Sequence, residues 1–247
     1  MDALYPHTLP LIRKLDSITT LSGDDRAALL RLPMQVRDLR ADQDIVREGD
    51  QPSQCCLILE GFAATYKLGP KGKRQIMAFH IPGDIPDLQS LHMDVMDTNL
   101  ATLSACKVAF IRHPHMRELC HSHPRLADVF WRETLIDASI FREWMLCLGR
   151  RSASQHMAHL FCKFLTRLKT IGLVQDDNSF DFPITQGELG DALGLSNVHV
   201  NRVTQELRAS NLIAWERNTV TVLDWDGLVE LGEFDPTYLH LTRKKAA

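Results

Sequence analysis

The sequence predicts an α+β chain in which a β-rich domain is followed by helices that end in a winged helix-turn-helix. Three observations carry this reading. From about Val36 to Ile111, short apolar runs are cut by glycine turns. From Leu126 to Leu148, neither glycine nor proline occurs. Between Ile184 and Ile213, two capped helical segments meet at a glycine, and two short β runs follow.

The β-rich domain has a helical preface. Ser22-Gly23-Asp24-Asp25 precedes Arg26-Ala27-Ala28-Leu29-Leu30, a start signal followed by good helix formers. Then Cys56-Leu57-Ile58-Leu59 stops at Glu60-Gly61, Phe62 to Leu68 stops at Gly69-Pro70-Lys71-Gly72, and Gln75 to Ile81 stops at Pro82-Gly83-Asp84. Leu100 to Ile111 alternates and reads as one further strand. Short strands with regular turn signals suggest a sandwich or barrel.

The long helix is apolar on more than one side. Leu126, Val129, Phe130, Ile136, Ile140, Phe141, Trp144, Met145 and Leu148 cover more than one stripe. A helix apolar on two sides must be buried on two sides. One side fits the barrel and the other a second copy of the same helix; the alternative is a central helix in one larger core. Gly149-Arg150-Arg151-Ser152 breaks this helix and caps the next, which sets the domain boundary near Gly149. Ala153, His156, Met157, Leu160, Phe161, Phe164, Leu165 and Leu168 then give a strongly amphipathic helix.

The most informative segment begins at Ile184. Thr185 with Glu188 three residues later forms a capping box. Leu189, Ala192 and Leu193 give an apolar face, Gly194 ends the helix, and Ser196 caps a second one. At about 100° per residue, Val200, Val203 and Leu207 fall together and form the buried face. The opposite face is centred on Val198, Asn201, Arg202 and Gln205, with Asn197 at its edge; it reads as polar and free of acids. Such a face suits a major groove, where arginine reads guanine, Asn or Gln reads adenine, and an apolar group meets a thymine methyl. Ser196, His199 and the start of the first helix can fix register on phosphates. Two β runs then flank Arg217-Asn218 as a hairpin, which makes the unit a winged helix and puts Arg217 at its tip.

Composition narrows the function classes. The formal net charge of −3 gives no global cationic bias, so contact with nucleic acid must rest on a local surface. No apolar run approaches the ~18 residues of a membrane span, and Met1 to Leu15 does not read as a secretory signal. The expectation is a cytoplasmic protein with no membrane partner. The cysteines at 55, 56, 106, 120, 147 and 162 show neither Cys-x-x-Cys nor metal-ligand spacing, and read as small buried apolar residues. No nucleophile elbow, phosphate loop or meeting carboxylate pair occurs, so no enzyme, catalytic residue, metal or cofactor is expected.

These motifs together resemble the Crp/Fnr family, the relatives of the cyclic-AMP receptor protein. The resemblance rests on Glu48-Gly49-Asp50, Leu57-Ile58-Leu59-Glu60-Gly61 and Pro82-Gly83-Asp84 in the barrel. In the DNA-binding part it rests on Ile184 to Gly190, Gly194-Leu195-Ser196 and Val200-Asn201-Arg202. Phe234-Asp235-Pro236-Thr237-Tyr238-Leu239 is similar to the tail of a proteobacterial branch. The resemblance implies a cyclic-nucleotide-binding-like jelly roll over 1–122 as sensor, a dimerisation helix over 123–148, a winged helix-turn-helix over 149–224 and a tail over 225–247. It implies a transcription regulator that binds a palindromic promoter site in double-stranded DNA as a homodimer, with RNA polymerase and a small-molecule effector as further partners. Asn197, Val198 and Arg202 match base-reading positions, while Thr185, Gln186, Ser196 and His199 match positions near phosphates. Val129, Ile136, Ile140 and Trp144 are the expected dimer contacts. In the sensor, Asp87 stands where nucleotide binders of the family carry a ribose-binding Glu, and Thr98 and Asn99 complete the expected effector pocket. No arginine or lysine lies between Arg74 and Lys107, so a cyclic phosphate would lack its cationic partner. A cyclic-nucleotide-responsive protein is therefore the alternative reading. A haem held by His113-Pro-His115 or His121-Ser-His123 is not expected, nor is an iron–sulfur cluster, since the first cysteine is Cys55.

Overall fold

A computed structural model describes residues 9–242; residues 1–8 and 243–247, at the ends of the expected sensor domain and tail, lie outside the described residues. The chain divides into two compact units. One holds the residues up to 67, 78–138 and those from 240; the other holds 68–77 and 139–239.

In the first unit, α1 (Leu9–Ile18) and α2 (Gly23–Leu30) precede the strands. α2 starts where its sequence predicts, on a capping box in which the Asp25 amide donates to Ser22 Oγ and the Ser22 amide donates to Asp25. The strands are β1 (Gln35–Leu39), β2 (Asp44–Val46), β3 (Gln54–Glu60), β4 (Ala63–Leu68), β5 (Arg74–His80), β6 (Asn99–Thr102) and β7 (Cys106–Arg112), of which residues 68 and 74–77 are counted with the second unit. They form two sheets, ordered β1-β7-β3 and β2-β6-β4-β5. The expected single strand from Leu100 to Ile111 is two strands on different sheets. Ser104 breaks it, its hydroxyl accepting from the Phe62 amide at the corner. Between the sheets lie Val46, Cys56, Ile58, Ala63, Met96, Leu100, Cys106 and Val108. Five of the six cysteines are buried and all are free; burial pushes the Cys55 thiol up to about 12.

The turn Pro82-Gly83-Asp84 receives α1. Gly83 has φ +95°, and a Cβ there would lie 2.6 Å from Pro10 O. From the same helix, Lys14 Nζ reaches Asp84 Oδ1 at 2.6 Å and also contacts Glu133 Oε1. One ammonium thus joins α1, the turn and the helix that carries Glu133. All three groups are nearly dry, so losing Lys14 strands two buried carboxylates, which costs more than the pairs contribute.

α3 (His113–Ser122) leads into α4 (Pro124–Arg150), which runs through Gly149 before Ser152 caps α5 (Ala153–Thr170). α4 belongs to the first unit up to residue 138 and to the second thereafter. In the second unit follow β8 (Ser179–Asp181), α6 (Gln186–Leu193), α7 (Asn197–Ala209), β9 (Ile213–Glu216), β10 (Thr219–Val222) and α8 (Trp225–Gly232). α5 is not amphipathic in the expected sense, because every residue from His156 to Leu165 is buried. Its second side is covered at Gly232, where a Cβ would lie 2.6 Å from the His159 amide nitrogen.

Two faces of α4 are distinct. Leu126, Phe130, Glu133, Ile136, Ile140, Trp144 and Cys147 turn inward, while Trp131, Leu135, Phe141, Met145 and Leu148 stay exposed. Of the four expected dimer contacts, Val129 and Ile140 are half-buried, whereas the other two are not at the surface. Ile136 and Trp144 are each only 5% exposed and belong to the chain's own core. Trp144 turns in because the buried Lys163 ammonium sits 4.4 Å from its ring centroid and His156 meets it edge-on at 5.0 Å.

Gly83→Ala is expected to destabilise the protein through both its φ and the contact with α1. Gly49→Ala meets the same backbone constraint, with φ +92°, but no atom within 4 Å. Forcing Ala into that region costs roughly 1–3 kcal/mol. Urea midpoints should therefore rank wild type above Gly49→Ala and Gly49→Ala above Gly83→Ala; equal midpoints for the two variants would show that α1 does not press on this turn.

Candidate nucleic-acid interface

α6 and α7 are set by short-range chemistry. The Thr185 side chain accepts from the Glu188 amide at 3.2 Å, and the Thr185 amide donates to Glu188 Oε2 at 2.7 Å. Gly194 closes α6 in the left-handed conformation, φ 69° and ψ 29°. Ser196 caps α7, accepting from the His199 amide. The turn is tight because Gly190 has no side chain. A Cβ there would stand 2.7 Å from Leu195 O and 3.3 Å from Asn197 Oδ1, and the Leu195 amide donates to Gly190 O.

This packing decides which side of α7 is free. Val200, Val203, Thr204 and Leu207 are buried. Ser196, Asn197, Val198, Asn201, Arg202 and Gln205 are exposed, and His199 is half-buried. Val198 is 81% exposed, an apolar side chain held in water at the start of the helix. Thr185, Gln186 and Arg217 are exposed as well, so all ten residues singled out as DNA contacts lie at or near the surface of this unit.

The free face is not without acids, as it first reads. Arg202 Nε lies 3.7 Å from Glu206 Oε1, one turn on, and its Nη2 lies 2.9 Å from His199 Nε2. Glu206 Oε2 also accepts from Ser154 Oγ at 3.0 Å. The guanidinium is thus steered along the helix axis by neighbours on both sides. Glu206 was missed because the helical wheel places it at the edge of the buried stripe. The i, i+4 spacing from Arg202 was the available signal.

The wing is a three-stranded sheet, ordered β8-β10-β9. Glu216 pairs with Thr219, so Arg217 and Asn218 alone make the turn, and Arg217 adopts φ 54°. Trp215 Nε1 donates to Arg217 O at 3.1 Å, and the Trp215 ring packs edge-on against Phe161 and Phe182. Between wing and helices lies a cavity of about 290 Å³ lined by Thr185, Gln186, Gln205, Arg208, Arg217 and Asn218 among others. Arg208 did not stand out in the sequence; the fold brings it beside Arg217. Two guanidiniums and the α6 N-terminus around one concavity suit a phosphate.

The expected effector residues are differently occupied. Asp87 is fully buried and its Oδ1 accepts from the Cys56 amide at 2.7 Å. Asn99 Oδ1 accepts from the Glu48 amide at 3.1 Å, and its Nδ2 donates to Tyr66 O. Both side chains therefore tie loops and strands of the barrel together, and Thr98 is buried beside Asn99 in the chain.

Comparison with known proteins gives two family matches. Residues 155–231 match the Crp-like helix-turn-helix domain, and residues 36–123 match the cyclic nucleotide-binding domain. The transcriptional activator protein FnrL of Cereibacter sphaeroides is 29% identical over 200 residues, covering 78% of this chain and 79% of its own. The transcriptional activator protein Anr of Pseudomonas protegens is 27% identical over 225 residues, covering 90% and 87%. The structure of FixK2 from Bradyrhizobium japonicum superposes with a TM-score of 0.71 at 22% identity, over 81% of this chain and 98% of that one.

The buried Asp87 makes stability depend on pH. Burial raises its pKa from 3.8 to about 7. As pH rises, the unfolded chain loses this proton first, so the native state holds the extra proton between those values and stability falls with pH across them. Asp87→Asn keeps an oxygen for the Cys56 amide and removes the proton. Relative to wild type, this variant should gain urea resistance between pH 5 and pH 8; a difference that does not change with pH would refute the assignment.

Proposed function

From the membership of this chain in the Crp/Fnr family of DNA-binding transcription regulators, we propose that it binds a palindromic promoter site as a homodimer and acts there on RNA polymerase in the cytoplasm. The observation that carries the reading is the free face of α7. Its Val200–Leu207 side is buried, and the same packing leaves Asn197, Val198, Asn201, Arg202 and Gln205 exposed together. In this reading Arg202 reads guanine, Asn197 and Val198 set the adjoining base pairs, and Thr185, Gln186, Ser196, His199 and Arg217 hold phosphates.

The homodimer is supported by the outer face of α4. Trp131 is 71% exposed, Leu135 57% and Met145 59%, with Phe141 and Leu148 exposed in the same register. Steps of four, six, four and three residues keep these side chains on one stripe, the pattern of a two-helix seam. A second copy buries it by two-fold symmetry and duplicates α7 for two half-sites. No helix among the described residues is long and apolar enough to cross a membrane, so this stripe is not read as a lipid-facing span.

The signal is read as something other than a cyclic nucleotide. Two cations among the described residues are engaged at the segment from Pro82 to Leu91. Lys14 pairs with Asp84, and Arg117 Nη2 donates to Leu91 O at 2.9 Å.

Arg202→Ala should lose roughly 1–3 kcal/mol of discrimination at one base pair in each half-site. Ser196→Ala should weaken all sequences alike. Competition gel-shifts at fixed salt, against the selected site and its single-base variants, separate the two effects. An unchanged base preference in a folded Arg202→Ala protein would move the reading face elsewhere.

Leu135→Glu with Met145→Glu should give folded monomers by sedimentation, whereas Trp144→Glu should unfold the chain. A wild type that sediments as a monomer at micromolar concentration would overturn the homodimer.

A further inference from the structure

Outside the DNA-binding surface, one cluster of ligand-type side chains has no role in the function above. Glu143 and Cys147 stand one turn apart on α4, and His159 comes from α5. One oxygen, the sulfur and one ring nitrogen of these residues lie within 4.8 Å of one another, with Cys147 and His159 buried. We propose that these three residues form a binding site for a divalent transition metal of the zinc class, and that Arg151 occupies its cation position when the metal is absent.

The tautomer of His159 follows from its partners. Its Nδ1 lies 3.0 Å from Gly232 O. A carbonyl can only accept, so Nδ1 carries the proton and Nε2 presents its lone pair. That lone pair accepts from the Tyr238 hydroxyl at 3.0 Å, with Glu143 Oε1 3.8 Å away, so a metal takes the place of the hydroxyl proton. An imidazole oriented through one nitrogen by a backbone carbonyl, with the other nitrogen toward a carboxylate and a thiol, is the arrangement of a metal-ligating histidine.

Arg151 shows that the other two donors converge on a positive charge. Its Nη1 donates to Glu143 Oε1 at 2.6 Å and to Cys147 Sγ at 2.7 Å. On its other side the hold is weak. Nε makes no hydrogen bond, and the remaining contacts are Glu233 O at 3.3 Å and the largely exposed Glu233 carboxylate at 3.6 Å. The Arg151 side chain is 7% exposed and the Glu233 carboxylate beside it 61%, so the displaced guanidinium moves out with Glu233. A metal taking its place would bind the carboxylate, the imidazole and the thiolate, with Cys147 giving up its proton to water. One carboxylate and one thiolate neutralise a divalent ion, and the sulfur–nitrogen–oxygen set selects zinc-like metals over calcium or magnesium. The donors must close by about 1 Å to reach zinc-like bond lengths, which α4 and α5 side chains can supply by small rotations.

The inference stands apart from the DNA-binding reading. The probe is Co²⁺ added to the reduced full-length protein. A thiolate-to-cobalt charge-transfer band saturating at one equivalent is expected, lost in Cys147→Ser and retained in Cys162→Ser. Zn²⁺ should displace the band. Arg151→Gln removes the competing cation and should bind Co²⁺ roughly tenfold or more tightly, while Glu143→Gln should bind it more weakly by a similar factor. No band, a band that survives Cys147→Ser, or an Arg151→Gln protein that binds no more tightly than wild type would each overturn the site.

Discussion

The DNA-binding unit depends on the contact at Gly190. The backbone of α6 touches the turn before α7 so closely that a single methyl group would stand 2.7 Å from Leu195 O. With that approach α7 packs against α5 and α6, and Val200, Val203 and Leu207 are buried. The opposite residues of α7 are then free as a geometric consequence, not by their own polarity. Thr185 and Glu188 start α6, Gly194 ends it and Ser196 starts α7. These local preferences agree with the tertiary contact, the consistency that gives a sequence a single structure.

Much of this was legible because it is short-ranged. Capping boxes at Ser22, Ser152 and Thr185, the left-handed Gly194 and the two-residue turn at Arg217-Asn218 are written within four residues each, and each appears where its residues predict. What was not legible depends on neighbours distant in sequence. Trp144 reads as an exposed seam residue until Lys163 and His156 are seen to cover it. Asp87 reads as a ligand-binding acid until its bond to the Cys56 amide appears. β8 is three residues long and has no pattern of its own; it is a strand only because β10 offers an edge. Glu143 and Cys147 carried a faint signal, i and i+4 on one helix, but His159 joins them only through tertiary packing.

Burial is used in two opposite ways. In the barrel, the nearly dry Asp84 and Glu133 share the Lys14 ammonium, which fixes α1 against the turn and α4. Asp87 is dry without a cation, and its carboxyl is pushed toward neutrality instead. The same distinction separates Arg151, whose charge is matched by Glu143, from His159, which burial holds in its neutral form with a pKa of about 4. Charge matching holds the first kind in place, and desolvation makes the second kind responsive to protons.

The exposed stripe on α4 also has a consequence in mass action. In the proposed homodimer, a site with two half-sites is filled by two copies of α7, and the seam through Trp131, Leu135 and Met145 joins them. Below the dissociation constant of that seam, the amount of dimer grows with the square of the amount of chain. Doubling the protein in the cell then raises the binding species about fourfold. Synthesis and turnover of the chain become inputs to its promoters, alongside whatever the barrel senses.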